Sequence, residues 1–378
     1  MAQTPGCFKL GSSRARPGRR IDVGSKTIND VAKHAGVSKK TVSRILNSEP
    51  HVSAALRERV LNAVKELRYR PRTSARSMRG GRSYVLGFLL TGPYPYAIEG
   101  QLGALTACRR AGYHLLVEAM DPAGTDLDEG LELLTGGLPV DGVILLPPLC
   151  DNQALMSGLD TAGIPYARIA PATDRQRTPY VDPDDLRAAH VMTEHLLELG
   201  HTRIGFIKGP AGHLASTLRL DGYRQALKDW GLAAEEELIL DGRFTFESGY
   251  DAAGPLLHLA DPPTAVFASN DLMALGVMAR AQELGLRLPQ ALSVAGFDDI
   301  PSAAMTRPDL TTMRQPIARM TEIATEMLIG RAPGVEGGAR PLHRTLGCEL
   351  VIRRSTAPPS RPGKTAARRN GTSTRTGR

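Results

Sequence analysis

From Tyr84 onward the chain alternates short apolar runs with longer helix-like stretches, and this alternation limits the folds open to it. The runs are VLGFLL (85–90), HLLVEA (114–119), GVILL (142–146), YARIA (166–170), RIGFI (203–207), TAVFA (264–268) and LSVAGF (292–297). Between them lie helical patterns such as 186–199, 219–230 and 271–285. Strands that are apolar throughout, rather than at every second residue, are buried on both faces. That is the condition of a parallel sheet covered by helices on each side. The expected class is therefore α/β. The region 83–354 is too long for one sheet of ordinary size, so two lobes are predicted.

Charge divides the chain differently. The net +8 over 378 residues hides +5 in segment 1–26, +9 in 27–82 and +8 in 353–378, which leaves −14 for 83–352. Basic ends around an acidic body suit a polyanionic partner for the ends, although a basic tail can equally be solvated disorder. Residues 1–25 and 355–378 are rich in Gly, Ser, Pro and Arg and are expected to be disordered extensions. No apolar run approaches the length of a membrane span, and the first 20 residues lack the apolar stretch of a secretory signal. Cys7, Cys108, Cys150 and Cys348 are scattered, without a paired spacing or a nearby His cluster. Neither a metal site nor a disulfide framework is expected, and a cytoplasmic setting fits.

Residues 26–70 read as three short helices. Thr27 can cap a helix whose Asp30 suits its positive end, with Ile28, Val31 and Ala32 on one face. Gly36 permits a left-handed turn, and Ser38 can cap a second helix over 38–46. That helix turns Val42, Ile45 and Leu46 inward and Lys39, Lys40, Ser43 and Arg44 outward. A third, about 53–67 with Ser53 as cap, is expected to bury Leu56, Val60, Leu61, Val64 and Leu67. Two helices around a Gly-containing turn form a helix-turn-helix, whose second helix enters the DNA major groove.

The string TINDVAKHAGVSKKTVSRILN, followed by VSAALRERVLNAVKELRYRPRTSARSM, resembles the start of the LacI/GalR family of bacterial regulators, and the likeness runs from Thr27 to about Arg354. The resemblance implies that Lys39 and Lys40 read base edges and that Arg44 contacts bases or phosphate. Thr27, Ser38, Thr41, Ser43 and Asn47 join them in the DNA-contacting set. It also implies that 71–82 is a hinge helix formed on the operator, with Arg72 and Arg76 towards phosphate and Met78 as a minor-groove wedge. The body, 83–354, is then an effector-binding and dimerising core similar to periplasmic sugar-binding proteins. The partners implied are a pseudo-palindromic operator, a second copy of the chain and a sugar-like effector. The family also has purine-responsive members, so a nucleobase stays open.

The residues themselves point to a cleft. Ligands of open α/β sheets sit beyond the carboxyl ends of strands. Asn270-Asp271 follows TAVFAS there and Asp298-Asp299 follows LSVAGF. Arg219 stands among Leu218, Leu220 and a Gly-Tyr pair and needs a polar partner. By resemblance Arg219 and Phe244 touch the effector, together with Asn270 and Asp298, and Tyr94 and Tyr96 are candidate ring-stackers. The plainer alternatives are a helix cap for Asn270 or Asp271, a turn for Asp298 and a core place for Phe244. No GxGxxG, GKS/T, GxSxG or HExxH motif is present, and His195 and His201 read as packing residues. No cofactor is called for. A sugar-binding protein without a DNA role and a sugar-processing enzyme are the competing readings.

Overall fold

The computed structural model describes residues 26–46, 52–67, 69, 82–92, 94–121, 127–134, 139–330 and 342–360. The chain divides into two compact units, Met1–Gly81 and Arg82–Arg378.

In the first unit, α1 (Ile28–His34), α2 (Lys39–Leu46) and α3 (Ala54–Glu66) pack around Val31, Ala32, Val42, Ile45, Val60 and Ala63. Thr27 and Asp30 form a reciprocal capping box at the start of α1. Gly36, at φ +61°, makes the left-handed turn between α1 and α2, a conformation that costs a residue with a Cβ. One expectation fails in α3. Leu61 is 46% exposed, and Ala63 is buried in its place. Each helical residue advances about 100°, so Leu61 lies a quarter-turn beyond Val60, whereas Ala63 returns to the buried stripe.

The second unit holds two six-stranded sheets. The first lobe begins with β1 (Val85–Leu90), α4 (Pro95–Ala111), β2 (His114–Ala119), α5 (Leu127–Glu132), β3 (Val143–Leu145), α6 (Gln153–Thr161), β4 (Tyr166–Ile169) and β5 (Tyr180–Pro183). The second follows with α7 (Asp185–Glu198), β6 (Ile204–Ile207), α8 (Leu214–Asp229), β7 (Ile239–Leu240), α9 (Phe246–Leu257), β8 (Ala265–Ala268), α10 (Asp271–Glu283), β9 (Ser293–Asp298) and β10 (Thr311–Arg314). The chain then returns for α11 (Ile317–Ile329) and β11 (His343–Leu346), and ends in the second lobe with β12 (Glu349–Val351).

The strand orders are β11-β5-β4-β3-β1-β2 and β12-β10-β9-β8-β6-β7. All neighbours are parallel except β12 against β10. The inner strands β3, β4, β6 and β8 are buried at every residue, which is why they read as unbroken apolar runs. In the second lobe, α7 and α8 cover one face through Met192, Leu196, Tyr223 and Leu227, and α9 and α10 cover the other through Ala253, Leu256, Met273 and Val277. In the first lobe, Ala97 and Ala104 of α4 and Met320 and Ala324 of α11 pack over Phe88, Ile144 and Ala167. The chain passes between lobes three times, after Pro183, after Arg314 and after Leu346. Two of these crossings bring polar residues, Asp185 and Gln315, to the carboxyl ends of the sheets.

Candidate nucleic-acid interface and ligand cleft

On the first unit the second helix presents its amino-terminal turn to solvent. Lys39 and Lys40 are exposed there, while Thr41, Ser43 and Arg44 are half-buried along the same helix. The Ser38 hydroxyl accepts from the Thr41 amide at 3.1 Å and meets the Thr41 hydroxyl at 2.8 Å. Thr27 is likewise engaged, its hydroxyl 2.9 Å from an Asp30 oxygen that also takes the Thr27 amide at 2.7 Å. Those hydrogen bonds hold the Asp30 carboxyl below its usual range. Thr27 and Ser38 thus act first as caps, and the lysines are left to solvent. Asn47, Arg72, Arg76 and Met78 lie outside the described residues.

In the second unit a cavity of about 260 Å³ opens between the lobes, and all six residues expected at the ligand line it: Tyr94, Tyr96, Arg219, Phe244, Asn270 and Asp298. Arg219 enters from the first turns of α8 and is 4% exposed. Its Nε donates to Asp185 at 2.7 Å, its Nη1 donates to the Ser269 carbonyl at 2.5 Å, and its guanidinium carbon lies 3.7 Å from the Phe297 ring centre. Asp298 lies 3.9 Å from Nη1. The partner that Arg219 required is therefore supplied by Asp185, a residue sequence reasoning missed. Asp185 obeys the rule that singled out Asn270 and Asp298, since it follows the carboxyl end of β5 and opens a helix. Its strand, YVDP, carries too little apolar character to announce itself.

Asn270 combines two of the readings made of it. Its Oδ1 accepts from the Met273 amide at 3.0 Å, capping α10, and its Nδ2 donates to the Phe244 carbonyl at 3.0 Å. Asp271 is structural: its buried oxygens take the Ile300 amide at 2.9 Å and the Thr312 hydroxyl at 2.5 Å. Phe244 is half-buried, packed against the second-lobe core on one side and lining the cavity on the other, with the His213 ring edge-on at 5.6 Å. Gly209 leaves it room, since a Cβ there would collide with the Phe244 ring. Gln315, also missed, donates from Nε2 to Asp298 at 2.6 Å. Tyr94 is 54% exposed at the rim, whereas Tyr96 reaches inward. Burial, with Asp185 and Asp298 adding to it, pushes the Tyr96 phenol upward.

Burial also raises the Asp298 carboxyl to about 7, against the pull of Arg219 and the Gln315 hydrogen bond. His213 is lowered by burial and stays neutral at neutral pH. Among the described residues six non-glycine residues have positive φ, and Ala170 (48°), Phe244 (59°) and Asp298 (120°) line this cavity. Backbone strain gathered around a cavity is a mark of a functional site. Burial likewise raises the carboxyls of Asp185, which lines the cavity, and of Asp271 behind it. His195 and His201 pack against the 355–357 segment, as expected of structural histidines. No group of three metal-binding side chains occurs among the described residues.

A helix-turn-helix unit and a two-lobed α/β unit with a cleft between its lobes, in one chain, define a ligand-responsive DNA-binding regulator of transcription. Comparison with known proteins gives the family. Residues 27–72 match the model for bacterial regulatory proteins of the lacI family, and residues 193–356 match the periplasmic binding protein-like domain. The HTH-type transcriptional regulator MalR of Streptomyces coelicolor is 35% identical over 345 residues, covering 89% of this chain and 97% of its own. Among solved structures, the complex of the transcriptional regulator CelR with cellobiose aligns with a TM-score of 0.67 at 33% identity, over 88% of this chain and 100% of that one. A lac repressor dimer bound to operator and an anti-inducer aligns with a TM-score of 0.68 at 26% identity, over 88% and 99%. The chain belongs to the lacI family of transcriptional regulators. No helix of the described residues is long and apolar enough to cross a membrane.

Proposed function

We propose that the protein is a cytoplasmic, homodimeric repressor of carbohydrate-utilisation genes whose operator affinity is set by a sugar bound in the cleft. Lys39 and Lys40 read base edges, Thr41, Ser43 and Arg44 support them along the groove, and 71–82 is the hinge through which the body acts. Two copies are needed because a pseudo-palindromic operator presents two half-sites. In the body, Arg219, Asp298 and Asn270 meet sugar hydroxyls, Phe244 covers a ring face, and Tyr94 and Tyr96 close from the first lobe. The chain has no catalytic role in this reading.

The observation that carries it is the cavity, where a buried guanidinium is fixed between two carboxylates beside an aromatic face. Such a set matches vicinal hydroxyls and an apolar ring face. The cellobiose seen with CelR supports a sugar, and the lac repressor dimer on operator supports the assembly.

The DNA half is tested by replacing Lys39 and Lys40 with Ala and measuring binding to an operator selected from a random-sequence pool. Removing a side chain that reads a base should cost about 1–3 kcal/mol of discrimination, so specific binding falls at least about tenfold more than binding to random DNA. An equal fall on both would show that the lysines touch phosphate only.

A further inference from the structure

We propose that the cleft holds a subsite for a phosphate group on its sugar ligand, built by the first turn of α8 and the Arg243 side chain. The proposal rests on the sugar reading and narrows it to a phosphorylated sugar.

The subsite is made of donors that the chain itself does not use. The amino terminus of α8 borders the cavity through Pro210, His213 and Ala215. Its N-cap residue, His213, makes no side-chain cap, and burial keeps that imidazole neutral. The Ser216 amide is taken by the His213 carbonyl at 3.1 Å, but among the described residues nothing accepts from the Leu214 and Ala215 amides. Free amides at the positive end of a 16-residue helix attract an anion. A second observation singles out this turn. Ser216, in the same turn, is 7% exposed, and its hydroxyl has no hydrogen-bond partner among the described residues. The hydroxyl is turned towards Gly209, in the loop between β6 and α8, since a Cβ on Gly209 would run into both it and the Phe244 ring. A buried hydroxyl left unpaired is costly until something completes it. The α4 terminus also borders the cavity without a side-chain cap, but Pro95 in its first turn removes an amide.

Charge agrees with this placement. Arg219 is matched by Asp185 at 2.7 Å. Burial raises the Asp185 carboxyl and brings that of Asp298 to about 7, so the two hold less negative charge than their number suggests. Arg243 is exposed and lines the cavity beside Phe244, and among the described residues no carboxylate pairs with it. The neighbouring acid, Asp241, is held by Lys208 at 2.8 Å. Phe244 stands between Arg243 and α8, its ring 5.6 Å from that of His213, so a sugar laid on it can carry a phosphate to both. Phosphate oxygens are acceptors with negative charge, which two amides, a hydroxyl and a guanidinium answer.

The test is calorimetric titration of the full chain at constant ionic strength. The probes are inorganic phosphate and the pairs glucose and glucose 6-phosphate, cellobiose and cellobiose 6′-phosphate, and glucose and glucuronate. Inorganic phosphate should bind, and one phosphorylated sugar should bind at least about tenfold more tightly than its neutral partner, the gain expected of charge-assisted hydrogen bonds. Arg243→Gln should remove most of that preference. Ser216→Ala should weaken phosphate binding about threefold or more without lowering the urea midpoint of the free protein, because the hydroxyl has no partner to lose. Phosphate held by the basic DNA-binding segment is the same in all three proteins, so the difference between them reports the cleft alone. A neutral sugar that binds as tightly as its phosphate overturns the subsite and leaves the sugar reading standing. So does a preference that both variants keep intact. Binding of glucuronate but not of glucose 6-phosphate or inorganic phosphate overturns the choice of phosphate. Binding of hypoxanthine but of no sugar or sugar phosphate overturns the sugar reading and the inference with it.

Discussion

His201 shows how one residue joins distant parts of the second lobe. Its Nδ1 lies 2.8 Å from the Thr264 hydroxyl, and its Nε2 lies 3.1 Å from the Ser293 hydroxyl and 3.0 Å from the Ala357 carbonyl. A carbonyl accepts only, so Nε2 carries the proton and Nδ1 accepts from Thr264, which is the neutral tautomer. Burial lowers its pKa to about 4 from the 6.5 of an exposed imidazole. Between those values the unfolded chain binds a proton that the folded chain refuses. The contribution of His201 is therefore complete above pH 6.5 and is lost as pH falls through 4. The full window amounts to about 3 kcal/mol. Asp298, whose pKa is raised, acts in the opposite sense, losing stability as pH rises towards 7. The comparison that isolates His201 is urea unfolding of wild type against His201→Gln from about pH 4 to about pH 7. The advantage of wild type should grow with pH across that range; a constant difference would mean that His201 does not titrate on unfolding.

At the scale of elements, α4 and α11 touch closely because Gly103 has no side chain. A Cβ there would run into the Ala318 carbonyl and the Thr321 hydroxyl, and Thr321 already donates to the Gly100 carbonyl at 2.7 Å. Gly103→Ala should therefore destabilise the chain by about 1–3 kcal/mol, even though Ala favours a helix by about 1 kcal/mol over Gly. A raised urea midpoint would show that the helices can part without cost. The same elements mark what sequence could reveal. Inner strands such as VLGFLL and TAVFA were legible because burial on both faces makes them apolar throughout. YVDP, TTMR and HRTL were not, being short, partly polar and close to the lobe crossings. Asp185 and Gln315 were missed with them. Pattern also placed Leu61 on the wrong side of α3, since apolar identity does not decide between adjacent positions about 100° apart. Arg219 and Asp298 were found, but their mutual geometry was not, because it depends on sheet order and joins residues 79 positions apart.

For the whole molecule, charge and topology divide the labour. The helix-turn-helix segment 27–82 carries +9 and the body 83–352 carries −14, so attraction to DNA belongs to the former and ligand recognition to the acidic middle. Residues of both lobes line the cleft, the chain joins the lobes by three crossings, and two of these crossings carry Asp185 and Gln315 to the cleft lining. A ligand held there would couple lobe geometry to binding, the condition for a ligand to shift one state over another. The central claim is that occupancy of this cleft changes affinity for operator. The direct measurement is fluorescence anisotropy on a selected operator, with and without a saturating sugar identified by calorimetry. Operator affinity should change by at least about fivefold, corresponding to a coupling of about 1 kcal/mol or more. A sugar that saturates the cleft and leaves operator affinity unchanged would contradict the claim.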